Sequence, residues 1–290
     1  MKIANEIGSL ASIIGIENMG KAVEMCAKAG FDAWDFSMFE MCGINWKTRQ
    51  PIFKDNPMAG PNYLAFAREL KQIGLDNGIV CNQSHAPFPV DVPAIRGYLK
   101  RAIECTAEAG GEICVIHPDN DKTAEENAEM YADLLPFARG CGVKIATENM
   151  WNWDRARNES SFAACATAED FIKHIDLLND DYLVACLDVG HAEMRGSGEG
   201  AAHMIRALGH RVQALHIHDN DRWHDSHQLP FSMQVDFAPI VKALKDVNYP
   251  GYFTLEAGST LEGYDKEHVF DGLVAMRNSA RKLADMFEAM

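Results

Sequence analysis

Eight short apolar runs, each followed by a longer segment of helical periodicity, constrain the fold of this chain more than any other feature. The runs cover residues 2–7, 33–36, 79–85, 113–117, 143–148, 184–188, 212–218 and 252–256, each short enough for a strand. Between them apolar residues recur at helical spacing, as in Ile95, Tyr98, Leu99, Ala102 and Ile103, or Met130, Tyr131, Leu134, Leu135 and Ala138. A last helix is marked by Val269, Phe270, Leu273, Val274, Ala280, Leu283, Ala284 and Phe287. Gly30, Gly78, Gly142 and Gly251 each stand shortly before a strand, where a chain leaving a helix often needs positive φ. Eight β-then-α units in 290 residues are what an α/β fold of the (β/α)8 TIM-barrel type requires. An open doubly wound sheet is the competitor, but it usually has fewer units and no Gly-x-Gly-x-x-Gly follows the first run. No linker or low-complexity tract interrupts the chain, so a single domain over 1–290 is expected.

Composition narrows the partners. Lys and Arg number 27 against 42 Asp and Glu, a net charge of −15. Phosphate backbones are bound by clustered cations, so no nucleic-acid partner is expected. The eight cysteines form no Cys-x-x-Cys pair. Reduced thiols in a cytoplasmic protein are the expectation. The first residues contain Glu6 and no continuous apolar stretch, which makes a poor signal peptide. No run of about 18 apolar residues predicts a membrane span.

The chemistry gathers at the ends of the runs. His85, His117, Glu148, Asp188 and Glu256 each end one, and a sixth ends in His216-Ile217-His218. The longest non-periodic segments, 37–59, 149–166 and 219–236, also follow runs. A barrel would bring all of these to one face. Strand side chains alternate, so His216 and His218 point the same way, about 6.6 Å apart along the strand. His218, nearer the rim, is the expected ligand, with His216 in the layer beneath. Several carboxylates and imidazoles converging on one mouth repel or lose solvation unless a cation joins them. Two Glu, one Asp and one His form a hard, oxygen-rich set that suits Mn²⁺, Mg²⁺ or Co²⁺, and also admits Zn²⁺.

Five segments carry a family resemblance. They are Glu148-Asn149, Leu187-Asp188-Val189-Gly190-His191, His216-Ile217-His218-Asp219-Asn220, Asp225-Ser226-His227-Gln228-Leu229-Pro230 and Gly251-Tyr252-Phe253-Thr254-Leu255-Glu256. In this order they resemble the sugar phosphate isomerase/epimerase branch of the xylose-isomerase-like barrels. The resemblance implies one divalent metal on Glu148, Asp188, His218 and Glu256, with Glu148 and Glu256 also acting as acid and base. It places His191, of the Asp-x-x-His motif, on the substrate. Further substrate contacts are expected from His85, His117, Trp151, Asp154, Arg222 and His227. Two positions depart from the pattern of the ketose 3-epimerases. Asp154 stands where a second Glu follows the first metal-binding Glu by six residues. His224 stands where an Arg follows the ligand His by six, with Arg222 two residues earlier. Relatives are often dimers or tetramers, so a homo-oligomer is a further expectation.

The implied reaction removes a proton next to a carbonyl of a small sugar or polyol. The resulting enediolate would be stabilised by the metal, with acid and base on opposite faces of the carbon. Other readings keep the same residues. A keto-polyol (inosose-type) dehydratase would lose a β-hydroxyl after enolisation. A trinuclear zinc AP endonuclease would use nine ligands, for which His85, His117, Glu148, Asp188, His191, His218, Asp225, His227 and Glu256 are of matching types. A non-catalytic sugar-binding subunit would have no need of all four metal-type ligands. One metal equivalent or three separates the epimerase from the nuclease.

Overall fold

A computed structural model, which describes residues 1–53 and 55–290, closes the eight runs into a parallel barrel. Its strands are β1 (Ile3–Glu6), β2 (Ala33–Ser37), β3 (Val80–His85), β4 (Ile113–Val115), β5 (Lys144–Glu148), β6 (Leu183–Asp188), β7 (Val212–His216) and β8 (Phe253–Leu255). From β1 to β7 each strand pairs in parallel with the next, and β1 also pairs with β8. A parallel bridge from Ile217 to Leu255 closes the seam between β7 and β8. Helices pack outside, and the (β/α)8 barrel expected from the alternation is the observed fold. Among the described residues no helix is long and apolar enough to cross a membrane.

Alternation along the strands makes two cores. In β6 the outward residues Leu183, Ala185 and Leu187 join the large apolar layer between sheet and helices. The inward residues Val184 and Cys186 meet Val115, Ala146 and Ala214 in a small plug within the barrel. One more inward step along each strand reaches the polar layer: Glu148 follows Ala146, Asp188 follows Cys186, and His216 follows Ala214. The apolar plug thus forms a dry base on which the titratable side chains stand.

Local chemistry sets the outer ring. The helix Ala124–Cys141 opens on a capping box in which Thr123 Oγ1 accepts from the Glu126 N–H and the Glu126 carboxylate accepts from the Thr123 N–H. Such a cap is worth about 0.5–2 kcal/mol. The same helix buries Tyr131, whose hydroxyl donates to the Ile116 carbonyl at 3.0 Å and so ties helix to barrel. Gly30, Gly78 and Gly142 take φ of 95°, 79° and 71°, as their position before a strand predicts. Gly251 corrects that expectation, because its φ is not positive. A β-carbon there would collide with the Tyr249 hydroxyl and lie 3.0 Å from the Gln213 carbonyl oxygen, so close approach demands the glycine.

The runs overshoot the ladders at the catalytic end. β4 stops at Val115 and β7 at His216, two residues short of the apolar or imidazole run in each case. Two of the three non-periodic segments contain antiparallel hairpins, Gly43–Asn45 with Gln50–Ile52 and Trp151–Asp154 with Glu159–Phe162. Both follow strand ends on the same face as the 219–236 loop.

Candidate functional site

The C-terminal mouth of the barrel holds a cavity of about 880 Å³, lined by His85, His117, Glu148, Trp151, His191, Asp225, His227 and Glu256 among others. Beneath and around it, ligand-type atoms gather in a central group and on either side of it. Glu148, Asp188, His216 and Glu256 form the central one. His85 and His117 join Glu148 on one side, and His191, His218, Asp225 and His227 gather on the other.

Glu148 is the hub. Its Oε2 lies 3.1 Å from His216 Nδ1, 3.4 Å from His117 Nε2 and 3.7 Å from His85 Nε2. Glu256 Oε2 approaches the same His216 Nδ1 at 3.4 Å. In the other group His218 Nε2 lies 3.1 Å from Asp188 Oδ1 and 3.4 Å from Asp225 Oδ1. Asp225 Oδ2 reaches His191 Nε2 and His227 Nε2, both at 3.2 Å.

Strand register explains which histidine goes where. The β6–β7 pairing sets Asp188 opposite His216, with one register shift between Ala185 and Cys186. His216 is therefore level with Asp188 and enters the central carboxylate group. His218 has risen one inward step and meets the loops after β6 and β7.

Neighbouring groups hold these side chains in place. Asn149 clamps the ends of β5 and β6: its Nδ2 donates to the Asp188 carbonyl at 2.9 Å and its Oδ1 accepts from the Asp188 N–H at 2.8 Å. Asp188 caps the short helix Val189–Glu193 by accepting from the His191 N–H at 2.7 Å. Asp35, from the middle of β2, faces His216 Nε2 at 3.4 Å and accepts from Gln83 Nε2 at 2.9 Å. Gly190 lets the His218 ring lie against the backbone, since a β-carbon there would overlap the imidazole.

Burial and mutual charge pull these groups apart. Burial pushes Glu148 upward, but His216 and His117 outweigh it and hold its carboxyl well below the usual range. Burial also opposes charge on Asp225, yet His191 and His227 keep it well below its ordinary value. Glu256 goes the other way: burial, reinforced by Glu148 and Asp188, lifts it to about 8 against the pull of His216 and His227. His85 is driven well down by burial and by His117. His216 and His191 rise well above the usual imidazole value, because nearby anionic groups overcome burial. His227 is raised to about 10 by Asp225, against the desolvation of burial.

Within these groups six buried atoms have no hydrogen-bond partner: Glu148 Oε2, Asp188 Oδ2, His216 Nδ1 and Nε2, His218 Nε2 and Asp225 Oδ1. Unpaired buried acceptors and imidazole nitrogens cost free energy. Glu148 Oε2, Asp188 Oδ2 and His216 Nδ1 belong to the central group, where one divalent cation would satisfy them together. The donor set therefore fits a metal.

The remaining expected residues are placed as follows. Trp151 lines the cavity and donates from Nε1 to Asp225 Oδ2 at 3.2 Å. Asp154 is turned into its hairpin, accepting from the Ala156 and Arg157 N–H groups at 2.8 and 3.1 Å. Arg222 pairs with Glu193 at 3.2 Å. Neither Asp154 nor Arg222 is among the described residues that line the cavity. Sequence reasoning gave no role to Asp35, Asn149 or the cavity-lining rings of Phe39 and Phe88. For Asp35 a signal existed, a lone acid inside an apolar strand.

Comparison with known proteins adds to this geometry. The family model for the xylose isomerase-like TIM barrel matches residues 23–279. The uncharacterized protein MJ1311 of Methanocaldococcus jannaschii is 22% identical over 258 residues, spanning 83% of this chain and 79% of that protein. Among solved structures, the IOLI protein with a zinc atom superposes with a TM-score of 0.73 and 16% identity over 100% of both chains. A D-tagatose 3-epimerase-like protein superposes with a TM-score of 0.72 and 19% identity, over 100% of this chain and 99% of that one. At these identities the structural likenesses show a shared fold.

Proposed function

This chain belongs to the xylose isomerase-like TIM barrel family, and within it we propose a divalent-metal-dependent sugar isomerase or epimerase that moves a proton on a carbon next to a carbonyl. One observation carries this reading. Two buried carboxylates, Glu148 and Glu256, come from strands on different sides of one cavity and have opposite proton affinities. Environments that split paired titratable groups in this way assign a base and an acid. Glu148, held low, takes the proton, and Glu256, raised to about 8, returns one. The resemblance to barrels named as 3-epimerases, over nearly the whole chain, supports the same chemistry.

Glu148, Asp188, His216 and Glu256 would hold the cation, with His216 in the place first given to His218. With His216 as ligand, Arg222 falls six residues after it, the spacing that the resemblance leads one to expect. When bound, a divalent cation supplies positive charge to neighbouring substrate oxygens as their electron density rises. His191 and His227 would orient substrate hydroxyls, and Trp151 would cover a ring face.

The test is solvent exchange in D₂O with a panel of ketoses. Deuterium should enter at the reacting carbon with the native protein. Glu148→Gln or Glu256→Gln should slow it about 10²–10⁴-fold, the usual cost of losing a general acid or base. Turnover with no deuterium incorporation would mean hydride shift and would end this assignment.

A second reading has its own observation: beside the central group and the His85–His117 pair that joins it through Glu148, a separate group of ligand atoms is formed by His191, His218, Asp225 and His227. Three metals on these groups would suit phosphodiester hydrolysis. Metal content per chain decides between them. One equivalent supports the sugar reading, whereas three equivalents together with cleavage of abasic DNA support the hydrolase.

A further inference from the structure

The carboxylate–imidazole floor leaves much of the cavity open, and a strip of rings leads from it to the rim. Phe88 lies 4.8 Å from His117 and 6.1 Å from Trp46, ring centre to ring centre. Phe39 stands edge-on to both His85 and Phe88, at 4.5 and 5.1 Å. Trp46 sits on the first hairpin, lines the cavity and is 60% exposed. One face of the indole carries the Arg49 guanidinium, 5.7 Å from its centre; the exposed remainder, in ring contact with the floor through Phe88, is a ready surface for the C–H face of a second sugar ring. At about 880 Å³ the cavity is also near the top of the roughly 300–1,000 Å³ range of small-molecule sites. A single hexose would not fill it.

Charge narrows the second group. Among the described lining residues the only Lys or Arg is Arg49, and its guanidinium is already paired with the Asp91 carboxylate. Asp119 and Asp121 add further acids to the lining. A phosphate entering past these carboxylates would be repelled, whereas neutral hydroxyls can donate hydrogen bonds to them.

We propose that the cavity takes an uncharged glycoside of two rings, the reacting sugar on the floor and the second ring stacked on Phe88 and Trp46. It rests on the sugar reading above and names the substrate class within it: a glycosylated sugar in preference to a free monosaccharide or a sugar phosphate.

The experiment uses the metal-loaded protein and four probes: fructose, fructose 6-phosphate, isomaltulose and lactulose. Calorimetry gives affinity, and saturation-transfer NMR shows which protons touch the protein. Isomaltulose or lactulose should bind about tenfold or more tighter than fructose, with saturation on the non-reducing ring. Trp46→Ala should remove most of that preference, and Trp46→Phe, which keeps a flat face, should restore it. Tightest binding of fructose 6-phosphate, no gain for either disaccharide, no binding of any probe, or a preference indifferent to Trp46→Ala would each overturn the proposal. Solvent exchange, run in parallel, separates the two readings. Tight disaccharide binding without exchange in any sugar would defeat the isomerase assignment and leave the subsite standing. Exchange in fructose without a gain for the disaccharides would do the reverse.

Discussion

Two residues of depth along one strand separate His216 from His218, and the consequence is testable by metal binding. His216 Nδ1 faces Glu148 and Glu256, while its Nε2 faces Asp35. A carboxylate behind a ligand imidazole orients the ring and raises its basicity. His216→Gln should therefore lose bound metal on dialysis more readily than His218→Gln. Asp35→Asn should weaken metal affinity about 10–100-fold with an unchanged circular dichroism spectrum. Metal retention by His216→Gln alongside loss from His218→Gln would reverse the assignment. The strand-end residues were legible from sequence, because alternation sends Glu148, Asp188 and both histidines inward. Which histidine stands level with the carboxylates was not. It depends on the register shift between Ala185 and Cys186, which sets Asp188 beside His216. A one-dimensional pattern carries no register between strands.

At the scale of elements, the short helix Val189–Glu193 shows how a turn can serve a site. Asp188 caps it, His191 projects from it, and Gly190 makes room for the His218 ring. Gly190→Ala forces ring and helix apart, because the added carbon overlaps the imidazole. Overpacking of this kind costs about 1–3 kcal/mol, so a clear fall in melting temperature is expected. An alanine variant that melts with the native protein would show that the ring moves aside freely. The helices with strong apolar stripes and all eight strands could be read from periodicity. The hairpin Trp151–Asp154 with Glu159–Phe162 could not. Every residue of its first strand is half-buried, so no clean apolar-in, polar-out alternation marks it. Its positive-φ Asn158 was the remaining turn signal.

For the whole molecule, the site acts as a store of protons. His227 is raised from an ordinary 6.5 to about 10 by Asp225, against burial. It contributes stability that is complete below pH 6.5 and lost as pH climbs toward 10. Glu256 is raised from 4.5 to about 8, chiefly by burial. The folded chain keeps a proton there that the unfolded chain has released, so stability again falls with pH across that interval. Glu148, Asp188 and Asp225 are shifted downward, and their contributions change only at acid pH. After chelation, the melting temperature should therefore drop from pH 7 to 10. His227→Gln should flatten the upper part of that fall. A chelated protein whose melting point held steady or rose over this span would show that these protons are not retained.

The ladders of the two hairpins pair only within themselves, Gly43 with Ile52 and Trp151 with Phe162, and neither shares a strand with the barrel. Each is a cassette plugged into a strand end. On the reading proposed above, the reacting carboxylates and the stacking indole of Trp46 thus lie on separate pieces of chain. A lineage, or an engineer, can exchange a cassette to admit a new substrate while the chemistry below passes on unaltered.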